Sequence, residues 1–258
     1  MKKLIICIIF LSVIGGKCFS QISPKHLTSD YIEGAMLAEK GDWDKAYRFF
    51  KAEADKGNEA AQYQIAMCYA QGEGVTVNFQ EAFNYMYKAA TGNTPWIYAY
   101  EKLGYYYSEG IGCLQNYEEA MKWYQKGIAT KNKSLTATCT YQIGTMFLEG
   151  HGVKQDYSTA VSLFKMAAGL DYSAAAHNLG YMYDNGEGVM KDEIEAVKWY
   201  QKAAELGNAS SQYNLGVLYL DGRKNVPADK SKALQWLNKA AAQGHTKALI
   251  VMAELEEK

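Results

Sequence analysis

The sequence has no excess of positive charge. Residues 1–20 contribute three lysines and no acid, and the remainder holds 24 basic and 28 acidic residues, a net charge of −4. No block of lysine and arginine stands out that would neutralise a row of phosphates. The composition therefore argues against nucleic acid as a partner.

Long apolar runs are missing beyond the N terminus. The run at residues 4–14 follows two lysines and is too short for a membrane helix of about 20 residues. With the small residues that follow, it is typical of a secretory signal. We predict a signal peptide at residues 1–20, cleaved before Gln21, with export to the periplasm or cell exterior and no membrane span afterwards. Acylation of Cys18 is the less favoured alternative, because Lys17 stands where a lipoprotein signal needs a small residue.

Cysteine is scarce, since only Cys68, Cys113 and Cys139 follow the predicted signal. Export would permit disulfides, but the number is odd and the spacing follows no pattern. Cys68 and Cys139 fall on predicted helices about 20 Å apart, whereas a bridge needs alpha carbons within about 7 Å. Pairing of Cys113 with either one stays open. We expect free, half-buried thiols.

Catalytic motifs are absent as well. The sequence contains no GxSxG, no phosphate loop ending in GK[ST] and no HExxH. The histidines have no HxxxH partner and the cysteines no CxxC spacing, so no metal site is indicated. We therefore predict a protein that is not an enzyme, with no catalytic residue, no cofactor and no metal. Ser162 and Lys165 form an SxxK string, as in penicillin-recognising enzymes. The companion SDN and KTG strings are missing, so we interpret it as repeat surface.

The main feature that is present is a block that returns every 36 to 40 residues over most of the chain. A period of this size indicates stacked two-helix units, because one unit cannot bury its apolar face alone. The predicted fold class is all-α, an α/α superhelical solenoid of two-helix repeats. The helix-terminal glycine of the block recurs as Gly72, Gly110, Gly150, Gly186 and Gly222.

Within a block, the first helix carries Leu179, Gly180 and Tyr183 on one face. A mid-helix glycine costs about 1 kcal/mol relative to alanine, so its recurrence indicates that a second helix crosses too closely for a side chain. The aromatic pair Trp199-Tyr200 on the second helix is predicted to be core. The mid-helix slot is filled by Gly104, Gly144, Gly180 and Gly216, with Ala66 in the earliest copy.

The start of each second helix is marked by a residue whose side chain can accept a bond from the free N–H groups of the first turn. We also expect Glu81, Glu119 and Glu195 to complete capping boxes. The predicted N-caps are Asp42, Asn78, Asn116, Asp156, Asp192 and Asp229.

The combined pattern LGxxYxxGxGVxxDxxxAxxWYxxAA resembles the Sel-one-like repeat family, which is related to tetratricopeptide repeats. It covers five units over residues 59–245, and residues 30–58 resemble an ordinary tetratricopeptide unit that follows a short segment at 21–29. Residues 246–258 are predicted to form a capping helix, with Ala248, Leu249, Met252 and Leu255 facing inward.

The resemblance implies an interaction scaffold whose first helices line a concave groove. An aromatic wall beside acidic groups suits a protein or peptide carrying lysine or arginine. We therefore expect an exported, monomeric scaffold or adaptor with a protein or peptide partner; a β-lactamase-like hydrolase and a cell-wall glycan binder are the alternatives. Carried over position by position, the groove residues are Tyr63, Met67, Glu101, Tyr105, Glu109, Tyr141, Glu149, His177, Tyr181 and Tyr213.

Overall fold

The computed structural model of the chain describes residues 24–222 and 225–256. The predicted signal peptide at 1–20, with Cys18, lies outside the described residues, as do the last two residues of the predicted capping helix. Within the described part, the chain folds into a short 3-10 helix and thirteen α-helices of 11 to 17 residues, which confirms the predicted all-α class. The α-helices are α1 (Ser29–Glu39), α2 (Trp43–Asp55), α3 (Glu59–Gln71), α4 (Phe79–Thr91), α5 (Tyr98–Glu109), α6 (Tyr117–Ala129), α7 (Lys133–Glu149), α8 (Tyr157–Gly169), α9 (Ser173–Asn185), α10 (Glu193–Glu205), α11 (Ala209–Asp221), α12 (Lys230–Ala242) and α13 (Thr246–Glu256).

The chain divides into two compact units between Gly127 and Ile128, in the last turn of α6. Unit 1 contains α1 to α6 and unit 2 contains α7 to α13. In both units the odd-numbered helices are the first helices of the repeats and the even-numbered ones are the second helices. The first helices α1, α3, α7, α9 and α11 each pack against the second helix that follows, and Gly104 of α5 faces Tyr124 of α6, as expected for antiparallel helix pairs joined by short loops.

The mid-helix glycines lie where the second helix presses closest. A Cβ atom added to Gly180 would meet the ring of Tyr200 at 2.5 Å, and one added to Gly144 would meet Phe164 at 2.6 Å. The same contact involves a leucine in the last full repeat, where Gly216 faces Leu237. The glycine is therefore required by one large, fully buried side chain of the second helix.

In these repeats, the side chain that faces the mid-helix glycine is the second member of the pair on the second helix. Tyr200, Phe164 and Leu237 are at most 2% exposed. Trp199, which we predicted to be core as well, is only partly buried, and so is Trp236 at the equivalent position of the last full repeat. Because the helix turns about 100° between adjacent residues, two neighbours cannot both point at the same crossing helix.

The predicted N-caps form at five of six positions. The Asn78 side chain accepts from the N–H of Glu81, and Asp192 accepts from two first-turn N–H groups. Asp42 makes no capping bond with its side chain and instead pairs with Lys45 at 2.7 Å. The other caps are Asn116, Asp156 and Asp229.

The capping boxes do not form in the part of the chain that the structure describes. In the five caps that form, the N–H of the cap residue donates to a carbonyl of the preceding first helix, as Asn78 N–H does to Tyr69 and Asp192 N–H to Tyr183, both at 2.9 Å. The N–H of Asp192 is therefore not available to Glu195. The Glu195 carboxylate forms an ion pair with Lys198 instead, at 2.6 Å. The bond ties each second helix to the first helix of its own repeat.

The cysteines and the last helix depart from expectation in detail. No disulfide forms among the described residues. Cys68 and Cys139 are fully buried and only Cys113 is half-buried, so the expected partial burial is wrong for the first two. In α13, Ala248 is buried, but Leu249 is 50% exposed and does not face inward as predicted.

Candidate functional site

The predicted groove residues all lie on first helices, as the register requires. Unit 1 places Tyr63 and Met67 on α3, and Glu101, Tyr105 and Glu109 on α5. Unit 2 carries the other five, which are Tyr141 and Glu149 on α7, His177 and Tyr181 on α9, and Tyr213 on α11.

One row of these residues contacts the repeat that follows along the chain. The row consists of Tyr63, Tyr141, His177 and Tyr213. The Tyr141 ring lies 5.0 Å from that of Tyr172, which begins the next repeat. His177 Nδ1 lies 2.7 Å from the Ser211 hydroxyl. Each residue of this row is only partly exposed, so its side chain helps fix one repeat against the next.

The same contact recurs at the ends of the row. Tyr213 stacks on His245 with ring centroids 4.8 Å apart, and Tyr63 lies 6.3 Å from Trp96. Sequence reasoning missed these partners. The available signal was a ring or hydroxyl about one repeat further on, at the start of the next first helix.

A second set of predicted residues is open to solvent. Tyr105 is 41% and Tyr181 is 49% exposed, and Glu109 is also exposed. Glu149 is exposed and lies 3.0 Å from His151. Glu101 does not belong to this set, because its side chain is only 16% exposed and lies 3.3 Å from Lys102. Both units thus present an accessible tyrosine and an accessible carboxylate on their first helices.

Unit 1 also contains a cleft of about 790 Å³. The predicted residues Tyr63 and Met67 line it. Sequence reasoning did not select its other main walls, because they lie at helix ends and in loops whose placement depends on how the helices pack. The remaining lining residues are Ala38, Glu39, Trp43, Gln64, Gln71, Glu73, Trp96 and Tyr98.

The cleft has an acidic and aromatic character. Burial raises the pKa of Glu73 above its usual value. Burial, with the charge of Glu101 nearby, also raises the pKa of Tyr63, which therefore stays a neutral phenol. The indole Nε1 of Trp96 is buried and has no hydrogen-bond partner among the described residues.

The SxxK string is not arranged as a nucleophile and its base. The Ser162 hydroxyl donates to the carbonyl oxygen of Ser158 at 3.0 Å. The Lys165 ammonium lies 5.3 Å from the ring centroid of Tyr183, on another helix. Both side chains are engaged with the helical scaffold, as expected of repeat surface.

Two further findings apply to residues 24–222 and 225–256. No group of three or more His, Cys, Asp or Glu side chains is placed to hold a metal ion there. None of the helices in this part combines the length and the apolar character needed to cross a membrane.

Comparison with known proteins agrees with this geometry. The chain aligns with a Sel1 repeat protein of Oxalobacter formigenes at a TM-score of 0.77 and 32% identity, covering 88% of this chain and 90% of that one. It aligns with c5321, a protective antigen of uropathogenic Escherichia coli with an SLR fold, at a TM-score of 0.64 and 31% identity, covering 85% of this chain and 46% of that one.

A curated relative matches over a shorter stretch. The ERAD-associated E3 ubiquitin-protein ligase component HRD3B of Arabidopsis thaliana is 28% identical over 133 residues, which is 51% of this chain and 20% of that protein. The chain thus spans about a fifth of the length of this relative.

The family model of the Sel1 repeat matches five consecutive segments, at residues 59–93, 97–129, 137–172, 173–208 and 209–245. Proteins of this family act as protein-interaction scaffolds and are mostly non-catalytic. Since the segments cover well over half of the sequence, the chain belongs to the Sel1 repeat family.

Proposed function

We propose that this chain is an exported, monomeric scaffold that binds a partner protein or peptide along its first helices. The observation that carries the proposal is the presence, in each unit, of a solvent-exposed tyrosine and an exposed carboxylate on the first helices. These are Tyr105 and Glu109 in unit 1, and Tyr181 and Glu149 in unit 2. Exposed aromatic side chains supply contact area at low entropic cost, and carboxylates select cationic partners through charge-assisted bonds.

Membership of a scaffold family supports the same proposal. The Ser162 hydroxyl and the Lys165 ammonium both contact the scaffold, so nothing in their arrangement favours a hydrolase. Export rests on the pattern of residues 1–20. N-terminal sequencing of the mature protein should therefore begin at Gln21, and recovery of a lipid-modified Cys18 would contradict it.

Site-specific photo-crosslinking tests which helices meet the partner. Benzoylphenylalanine at Tyr105 or Tyr181 should crosslink a partner in native cells. The matched controls are Tyr87 and Tyr157, tyrosines on second helices with 43% and 38% exposure. Equal crosslinking from both sets would contradict binding along the first helices.

Charge reversal tests the role of the carboxylates with the partner so identified. Glu109→Lys and Glu149→Lys should each weaken binding about fivefold to tenfold, as expected for loss of a partly exposed charged contact. Glu118→Lys, on second helix α6 with an 81% exposed side chain, is the matched control. An unchanged dissociation constant in both groove variants would remove the carboxylates from the site.

A further inference from the structure

The cleft of unit 1 has aromatic walls drawn from three helix pairs. Trp43 begins α2, Tyr63 lies on α3, Tyr98 begins α5 and Trp96 lies in the loop just before it. Trp96 is 4% exposed and is held by neighbouring rings, with Tyr98 at 5.6 Å and His26 at 5.3 Å. The rings of Trp43, Tyr63 and Tyr98 are partly exposed, and Tyr63 and Tyr98 lie beside an indole that is itself buried.

The polar part of the cleft is acidic, and the described residues that line it include no lysine or arginine. Glu39 and Glu73 supply carboxylates, and Gln64 and Gln71 supply amides. An aromatic cleft that carries only negative charge offers both elements that recognise a cation, which are ring faces and carboxylate oxygens.

Glu73 differs from the two buried glutamates of unit 1, Glu53 and Glu59. Glu53 is buried, but hydrogen bonds from Lys56, at 2.7 Å, and from Thr28 outweigh that burial and lower its pKa. Glu59 is likewise compensated by bonds from the Thr94 backbone and hydroxyl. For Glu73 the structure shows no ion pair or hydrogen bond within the described residues, and its charge is left uncompensated.

A sugar could stack on the aromatic rings but would leave the Glu73 carboxylate without an ion pair. A cation could contact the rings and also pair with the carboxylate. Among the cationic side chains, arginine has a planar guanidinium that stacks on aromatic faces and binds a carboxylate through two N–H groups. We propose that the unit 1 cleft binds an arginine side chain of the partner, with the guanidinium over the aromatic wall and paired with Glu73. This inference rests on the proposed function and names the anchor within it.

The test follows the tryptophans of the cleft directly. Full-length protein labelled with 5-fluorotryptophan is titrated with N-acetyl-argininamide, and the ¹⁹F signals of Trp43 and Trp96 are assigned with Trp→Phe variants. Both signals should shift saturably. N-acetyl-citrullinamide, which has the same shape without the charge, should bind at least about tenfold more weakly, because it forms no ion pair and no cation–π contact.

A matched pair of variants tests Glu73 itself. Glu73→Gln should weaken argininamide binding about tenfold. Glu187→Gln, at the same loop position in unit 2, should leave it unchanged, since Glu187 lies between Gly186 and Gly188 just as Glu73 lies between Gly72 and Gly74. Circular dichroism confirms that both variants are folded.

Several outcomes would overturn the inference. These are equal affinity for argininamide and citrullinamide, equal loss in the two glutamine variants, or no shift of either tryptophan signal. A saturable shift with triacetylchitotriose in place of argininamide would assign the cleft to glycan. If argininamide does not bind while benzoylphenylalanine at position 105 still crosslinks a partner, the inference is wrong and the proposed function stands. If argininamide binds but no partner crosslinks at Tyr105 or Tyr181, the cleft assignment stands and the proposed function falls.

Discussion

Replacing Gly180 with alanine tests the close helix crossing that defines the repeat. The new Cβ would lie 2.5, 2.7 and 2.8 Å from three ring atoms of Tyr200, whereas carbon atoms in contact sit about 3.5–4.0 Å apart. The ring is 2% exposed and has no room to swing away, so the helices must separate by about 1 Å. Overpacking of this kind costs about 1–3 kcal/mol, and the better helix propensity of alanine returns about 1 kcal/mol. We expect a net loss of up to about 2 kcal/mol in the free energy of unfolding.

Urea unfolding followed by circular dichroism measures this loss as a lower midpoint with an unchanged slope. Gly169→Ala is the control, because nothing lies within 4 Å of that added Cβ, and it should raise stability by up to about 1 kcal/mol. Another repeat of the chain indicates a compensating substitution. It has Ala66 at the position of Gly180 and Met86 at the position of Tyr200. In a Tyr200→Met background, Gly180→Ala should become neutral or stabilising. The steric argument is refuted if the loss is the same in both backgrounds.

Three further predictions concern a cap, the half-buried imidazole of His177 and the thiols. Asn78→Ala should lower the free energy of unfolding by about 1 kcal/mol in urea titrations, whereas Asp42→Ala, which removes no capping bond, should change it little. Burial lowers the pKa of His177 below 6.5, so the unfolded chain binds the proton first. Stability should therefore be full above pH 6.5 and fall as the pH drops towards the lower folded-state pKa, and His177→Gln should reduce this dependence. Burial raises the pKa of Cys68 to about 12, so a maleimide should modify the half-buried Cys113 in the folded protein and Cys68 only after unfolding.

Each of these has an outcome that would contradict it. Equal losses for Asn78→Ala and Asp42→Ala would mean that the cap bond contributes nothing measurable. A His177→Gln variant with the parental pH profile would place the titrating group elsewhere. Fast labelling of Cys68 under native conditions would show that α3 opens locally.

The repeat register predicted which face of each first helix the groove residues occupy, but not what they contact there. The repeat motif places Tyr105 and Tyr181 on a face that the structure leaves open, because helical spacing decides which side of a helix a residue occupies. The same reasoning placed Tyr141 and His177 on that face too, but both make contacts with the next repeat. Spacing gives the direction of a side chain and not what lies in front of it.

The lining of the unit 1 cleft could not be predicted from the sequence for a related reason. Trp43, Glu73 and Trp96 belong to three different repeats or loops, and nothing in their spacing indicates that they share a cavity. Their meeting depends on the loop after α3 approaching the start of α2, where the Gly74 backbone lies against Trp43. Tyr63 and Met67 could be selected in advance because they share a helix face.

The sequence by itself determined the all-α class, the repeat period, the close crossing at Gly180 and five of the six N-caps. These features arise from interactions within one repeat, at fixed separations along the chain, so a periodic pattern reports them directly. The tertiary structure alone decided that Tyr200 rather than Trp199 fills the crossing and that cap N–H groups bond to the preceding helix. It also placed Glu73 in an aromatic cleft where no described residue supplies a counter-charge. Those outcomes depend on the angle and distance at which helices pack, and these are set jointly by side chains far apart in the sequence.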